Sequence, residues 1–290
     1  MAKTPTRPVR TRPENALLFF RTHVTAVTRV TPNIVRVTLG GSELSEFVGD
    51  GPDQRIKVFL PPPGEVEPKL PTYGDDWYTV YRQLPADKRP AMRTYTIRKH
   101  YPERNEVDVD FVLHGDLGPA SRWANQAALG DAVLIWGPYA DYEPTPNTTW
   151  QLIAGDATAL PAIGAILEEL PAGTVAKVFV EVDSPTDELP LATSGDVSLT
   201  WVHRSAGVEL VDVVRAAELP EGSPYVWMGG EAGLVKALRR HCVNDRQYPR
   251  YDIYFCGYWR RGRAEDDFDE VEAAQEERAE LAADEAAGVV

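Results

Sequence analysis

The sequence is poor in cysteine, with two in 290 residues, Cys242 and Cys256. Two thiols cannot build a disulfide framework or a four-ligand zinc site. Both lie in apolar stretches and are expected as buried thiols. Histidine is also scarce, five residues scattered along the chain. No Ser/His/Asp set and no metal-ligand cluster forms at useful spacing, so no metal site is expected. No run approaches the roughly 18 consecutive apolar residues that a membrane helix needs. The first fifteen residues are polar and carry three prolines, and Leu17-Leu18-Phe19-Phe20 is too brief for a signal-peptide core. No membrane insertion is expected, and a cytoplasmic address follows by elimination. The G-x-G-x-x-G fingerprint of dinucleotide-binding turns is missing as well.

What is present is globular: 43% hydrophobic and 26% charged residues, enough chain for two domains of ordinary size. The formal net charge of −14 is uneven. From Gly262 onward, eleven acids face two arginines. Residues 1–36 hold seven Lys or Arg against Glu14 alone. The acidity is largely a property of the C-terminal segment. Nucleic acid is not an expected partner for such a chain.

The rhythm of the sequence changes near residue 148. Before it, short strands alternate with turns. They are expected around Val24–Val30, Ile34–Leu39, Arg55–Leu60, Val107–Leu113 and Ala132–Trp136, with one helix near Ala120–Ala128. Asp108 and Asp110 alternate with Val107, Val109 and Phe111, which predicts one wet face. Residues 62–91 read as a long surface loop. Such a pattern argues a barrel or a sandwich. After the junction, strand and helix alternate: strands at Trp150–Ala154, Val175–Val182, Val197–His203, Tyr225–Met228 and Ile253–Tyr258. Helices are expected near Leu160–Leu170, Glu209–Ala217 and Glu231–Cys242. This implies a parallel sheet covered on both faces, with ligands past the carboxyl ends of its strands. The Glu/Ala-rich end reads as an acidic helix without an apolar stripe.

Several segments offer site chemistry. Arg93-Thr94-Tyr95-Thr96-Ile97-Arg98 places two cations, two hydroxyls and a ring on one extended segment. Arg93, Tyr95 and Ile97 share one face, and Thr94, Thr96 and Arg98 the other. A flat ring can lie on Tyr95 and a phosphate in an arginine fork; a routine exposed strand reads equally well. His114-Gly115-Asp116-Leu117-Gly118-Pro119-Ala120-Ser121 joins a strand to a helix, whose free N–H groups attract anions. A plain strand–turn–helix join is the duller alternative. Gly155-Asp156-Ala157-Thr158-Ala159 is a second such turn, with Thr158 as a candidate helix cap. Met228-Gly229-Gly230-Glu231 is a third.

The first of these segments resembles the R-x-Y-[ST]-x-R flavin motif of the ferredoxin–NADP reductase superfamily. His114-Gly115 with Gly118-Pro119-Ala120-Ser121 and Trp123-Ala124, Gly155-Asp156-Ala157-Thr158-Ala159-Leu160-Pro161, and Gly257-Tyr258-Trp259-Arg260-Arg261-Gly262 narrow the likeness. Together they resemble the siderophore-interacting proteins, flavin-dependent ferric-siderophore reductases. The resemblance runs from about residue 20 to 262. One departure is Ala157, where the family often carries an acid.

The resemblance implies an antiparallel β-barrel flavin domain over residues 16–142. An α/β nucleotide-binding domain with a parallel sheet would follow over 148–260, then an acidic C-terminal helix over 261–290. FAD would be the cofactor and NADH or NADPH the donor, with a ferredoxin-like protein as the other source of electrons. A ferric siderophore would be the substrate. Tyr95 would stack on the flavin ring and Thr96 reach its N5 side, with Glu231 near the reacting centre. These three are the candidate catalytic residues. Arg93 would hold the diphosphate, with Thr94 beside it in the motif. His114, Gly115, Gly118, Ala120 and Ser121 would line the ribityl and diphosphate. Asp156, Thr158 and Ala159 would belong to the nicotinamide side, and Trp259 would cover part of the flavin. Lys57 and Arg260 are candidates for binding an anionic ferric chelate. Arg204, after a strand-like run, is a candidate for a 2′-phosphate. A general flavin reductase module and a non-catalytic siderophore-binding protein stay open as alternatives.

Overall fold

The computed structural model describes residues 17–113 and 118–262. His114 and Gly115, and the acidic segment from 263 onward, lie outside the described residues. In the first half, six strands close into an antiparallel barrel in the order β1-β2-β5-β4-β3-β6. They are β1 (Leu18–Thr31), β2 (Ile34–Gly40), β3 (Arg55–Leu60), β4 (Ala91–Tyr101), β5 (Glu106–Val112) and β6 (Ala132–Tyr139). Alternate residues such as Val37, Ile56, Val58, Ile97, Val109 and Ile135 fill the barrel.

The wet face expected of β5 is dry. Asp108 and Asp110 are buried. Arg36, opposite Asp110 on β2, grips that carboxylate through Nε at 2.6 Å and Nη2 at 2.8 Å. Thr38 and Tyr101 donate to Asp108 at 2.8 and 3.0 Å. Paired carboxylates tolerate burial that lone ones do not.

Residues 62–91 also differ from the expected surface loop. They contain α1 (Trp77–Gln83), whose Trp77 and Tyr81 are buried. These rings meet Phe59 edge-on at 5.7 and 5.9 Å and form a second apolar cluster with Leu70 and Leu134. Aromatic side chains bury enough area to anchor a segment otherwise rich in proline and polar residues.

In the second half, five parallel strands lie in the order β11-β10-β7-β8-β9. They are β7 (Trp150–Asp156), β8 (Val175–Val182), β9 (Asp196–His203), β10 (Pro224–Glu231) and β11 (Ile253–Trp259). Successive residues serve opposite faces. Ile153, Val178, Val180 and Trp227 pack with α3 (Leu160–Glu169). Leu152, Ala154, Val226 and Met228 pack with α4 (Leu210–Ala216) and α5 (Ala232–Arg240). Cys242 is buried, and burial pushes its thiol up to about 12. Cys256 corrects the expectation of two buried thiols: it is only half-buried, because it faces the seam between the halves.

Polar straps cross that seam. The Asp53 carboxylate accepts from Trp227 Nε1 and from the Asp141 and Tyr142 amides, each at 3.0 Å. Asp187 accepts from Thr31 and Asn33, both at 3.1 Å. Arg98 of β4 donates to Glu168 of α3.

Candidate functional site

On the barrel, α2 (Pro119–Gln126) carries Pro119 in its first turn. Gly118 is extended there, and a Cβ on it would meet nothing within 4 Å. Ala120 and Ser121 are buried, and Ser121 Oγ reaches the Val112 carbonyl at 3.5 Å.

Pairing of β3 with β4 sets Lys57 opposite Thr94 and Arg55 opposite Thr96. Tyr95 is half-buried and packs on Phe111, ring centres 4.3 Å apart. Ile97 points the same way into the barrel. Arg93 is buried and donates to the Met92 carbonyl at 2.8 Å. Thr94 accepts from Lys57 Nζ at 2.9 Å. Lys57 is therefore a buried cation of the barrel wall rather than a surface one. Thr96 is buried on the same outer face. Arg98, the last residue of the motif, turns to Glu168, and Gly164 makes room: a Cβ there would meet the guanidinium at 3.1 Å.

The seam beside Thr96 is built by residues that the sequence reading missed. Arg55 donates from Nη1 to Cys256 Sγ at 3.0 Å and from Nη2 to Asp141, and lies 4.7 Å from the Tyr139 ring centre. Tyr254 donates to Asp141 at 3.2 Å. Burial pushes the Tyr139, Tyr254 and Tyr258 phenols up. Arg55 and Asp141 are 86 positions apart, and no local pattern announces their pairing.

At the carboxyl edge of the parallel sheet, Asp156 is almost fully buried. Its Oδ1 accepts from the Thr158 amide at 2.8 Å and from the Thr158 hydroxyl. Its Oδ2 accepts from the Glu231 amide at 2.8 Å and Trp259 Nε1 at 2.9 Å. Thr158 is thus a donor to Asp156 and does not cap α3, whose first-turn proline removes one of the amides a cap would serve. Glu231 caps α5 by accepting from the Leu234 amide at 2.9 Å, and it also takes the Arg261 amide at 3.1 Å. Ala159 is buried against the tight turn: a Cβ on Gly155 would stand 2.6 Å from the Ala159 Cβ and 2.5 Å from the Gly229 carbonyl oxygen. Asp156, Ala157, Thr158 and Trp259 line a cleft shared with Asn33, Val112, Asp183, Asp187 and Arg204. Arg204 is held there by Glu181 and Asp183. Arg260 is half-buried just past β11.

The structure brings Lys57, Arg93, Thr94, Tyr95 and Thr96 onto adjoining barrel strands. It gathers Asp156, Thr158, Glu231 and Trp259 at one edge of the sheet. A half-buried ring backed by Phe111, two hydroxyls and buried cations beside a helix start form a donor set that fits a flat ring carrying a diphosphate. Among the described residues no group of His, Cys, Asp and Glu could hold a metal ion, and no helix is long and apolar enough to cross a membrane.

Comparison with known proteins agrees with this arrangement. Residues 23–142 match the siderophore-interacting FAD-binding domain, and residues 148–262 match the siderophore-interacting protein domain. The chain is 32% identical over 246 residues to the ferric vibriobactin reductase ViuB of Vibrio cholerae, covering 83% of this chain and 89% of that protein. It is 31% identical over 266 residues to the NADPH-dependent ferric-chelate reductase of Escherichia coli, covering 89% and 99%. A siderophore utilization protein from T. fusca superposes with a TM-score of 0.75 at 32% identity, over 86% of this chain and 95% of that one. With both halves matched in order and relatives spanning most of its length, the chain belongs to the siderophore-interacting protein family.

Proposed function

We propose that this protein is an FAD-dependent ferric-siderophore reductase that takes electrons from a reduced nicotinamide nucleotide and delivers them to chelated Fe(III). The observation that carries this reading is strand β4: Tyr95 lies half-open on Phe111 on one face, and the Lys57–Thr94 pair stands on the other, in a chain with the family's two domains. FAD, when bound, accepts an electron pair as hydride and returns electrons singly, which matches a two-electron donor to a one-electron acceptor.

The chain's own residues do the rest. Tyr95 offers one ring face for stacking, and Phe111 behind it fixes the tilt. Arg93 and the start of α2 would hold the diphosphate. Thr96 holds a hydroxyl toward the reacting edge, and the Arg55–Asp141–Tyr254 set closes the seam against water. Asp156 keeps the ends of β7, β10 and β11 together, so that the nucleotide edge meets the barrel in one geometry. Lys57 supplies positive charge beside the motif strand, and Arg260 follows the strand that Arg55 touches from the barrel; both favour an anionic chelate. Reduction loosens hard-oxygen chelation, and the metal leaves as Fe(II). The reading sets the reaction in the cytoplasm, where reduced nicotinamide is available.

The test is the visible spectrum of the purified protein, followed by anaerobic titration with NADH or NADPH and then with a ferric chelate. A yellow protein that bleaches and is reoxidised by the chelate is expected. Reoxidation no faster than that of free FAD would make it a general flavin reductase. Colourless protein that binds chelate without turnover would make it a binding protein. If neither nucleotide bleaches the flavin, a ferredoxin-like protein is the donor.

A further inference from the structure

The far end of the sheet edge bears on which nicotinamide is used, and this inference rests on the reductase reading. The order β11-β10-β7-β8-β9 sets the reacting side at β11, where Arg55 and Cys256 join the barrel. A dinucleotide laid along the carboxyl edge therefore ends over β8 and β9. Arg204, just past β9, lies there.

Arg204 is the cation a 2′-phosphate would seek, yet its fork is already engaged. Nε and Nη2 donate to Glu181 Oε1 at 3.2 and 2.9 Å, and Nη1 donates to Asp183. Glu181 is buried at the end of β8, so its charge cannot swing away into water. Asp156, Asp183 and Asp187 line the same cleft. The neighbouring His203 is likewise taken, by Glu188 at 2.7 Å. Among the described residues that line this end, carboxylates thus outnumber the Arg204 guanidinium. A phosphate monoester entering here loses the open arginine fork and meets like charge, which is a penalty built against one of two similar ligands. A ribose 2′-hydroxyl is neutral, and it can donate to a half-exposed carboxylate such as Asp183.

We propose that Glu181 and Asp183, by occupying Arg204, make this protein select NADH and reject NADPH. The proposal sets this chain apart from the relative from E. coli, which is NADPH-dependent.

The test measures binding of NAD+ and NADP+ to the FAD-loaded protein by calorimetry, alongside anaerobic flavin bleaching by NADH and NADPH. NAD+ is expected to bind about tenfold tighter or more. Asp183→Asn, and the double variant with Glu181→Gln, should tighten NADP+ by about tenfold. Adding Arg204→Ser to the double variant should erase that gain. Equal or tighter binding of NADP+ by the unaltered protein would overturn the proposal. So would a nucleotide ratio that Asp183→Asn leaves unmoved. FAD-loaded protein that binds neither nucleotide overturns the donor choice and leaves the flavin reading intact. Protein that takes up no FAD overturns the flavin reading instead, and the NAD+/NADP+ ratio is then read on the flavin-free chain.

Discussion

The motifs of the two halves differ in what they leave open. On β4 of the barrel, the motif side chains hang on the wall and leave the Tyr95 ring half-open. At the edge of the parallel sheet, both oxygens of Asp156 are spent on protein donors, and Glu231 is spent on α5 and the Arg261 amide. A motif residue at a ligand edge therefore need not be a ligand. The barrel motif leaves one ring face half-open; the sheet motif locks strand ends together and shapes a cleft around them.

The sharpest way to break this comparison is Asp156→Ala. It strands buried donors from three segments, so stability should fall by about 3 kcal/mol or more, read by denaturant unfolding. If stability stays put and only nucleotide binding weakens, Asp156 is a ligand after all and the contrast fails. Next in size is the Arg93→Ala/Tyr95→Ala pair. Loss of a charge-assisted contact and of ring stacking should weaken FAD by roughly a hundredfold, read from the visible spectrum on dilution. Full FAD retention would remove the motif assignment.

Lys57→Gln should act more narrowly. It keeps a donor for Thr94 and deletes the charge, so KM for an anionic ferric chelate should rise about tenfold with FAD retained. A KM unchanged at low ionic strength would take Lys57 out of substrate binding.

The smallest effect belongs to the strap between Arg98 and Glu168. Burial pushes the Glu168 carboxyl up, but the Arg98 hydrogen bond and the charges of Arg98 and Lys99 outweigh it and hold the pKa below the usual glutamate range. A lowered folded-state pKa stabilises above the unfolded value and stops doing so as pH falls through the folded one. Glu168→Gln should therefore cost up to about 1 kcal/mol near neutral pH, because the pair is partly open to solvent, and almost nothing at a pH low enough to protonate the folded-state carboxyl. An equal loss at both pH values would mean that packing, not charge, matters there.

Much of the architecture was legible because it rests on local periodicity. Val107, Val109 and Phe111 alternate as a strand must, and Leu160 to Leu167 is apolar enough to mark the helix beside β7. The residues expected on β4 fall where the alternation puts them. Failures came where long-range contact overrules local pattern. Asp108 and Asp110 looked wet, and Arg36 on another strand made them dry. Trp77 and Tyr81 looked like loop residues, and Phe59 gave them a core. Thr158 looked like a helix cap, and the Asp156 carboxylate claimed its hydroxyl.

The sequence by itself determined two rhythms of elements, a scarcity of metal ligands, and motifs carrying the family likeness, since each depends on neighbours within a few residues. Only the tertiary structure decided which charges stay available. Arg204 met Glu181 and Asp183, Arg55 met Cys256 and Asp141, and Asp156 met Trp259 through folding that joined positions far apart in the chain. Charge pairing in a buried seam depends on distances in space, which one-dimensional spacing does not encode.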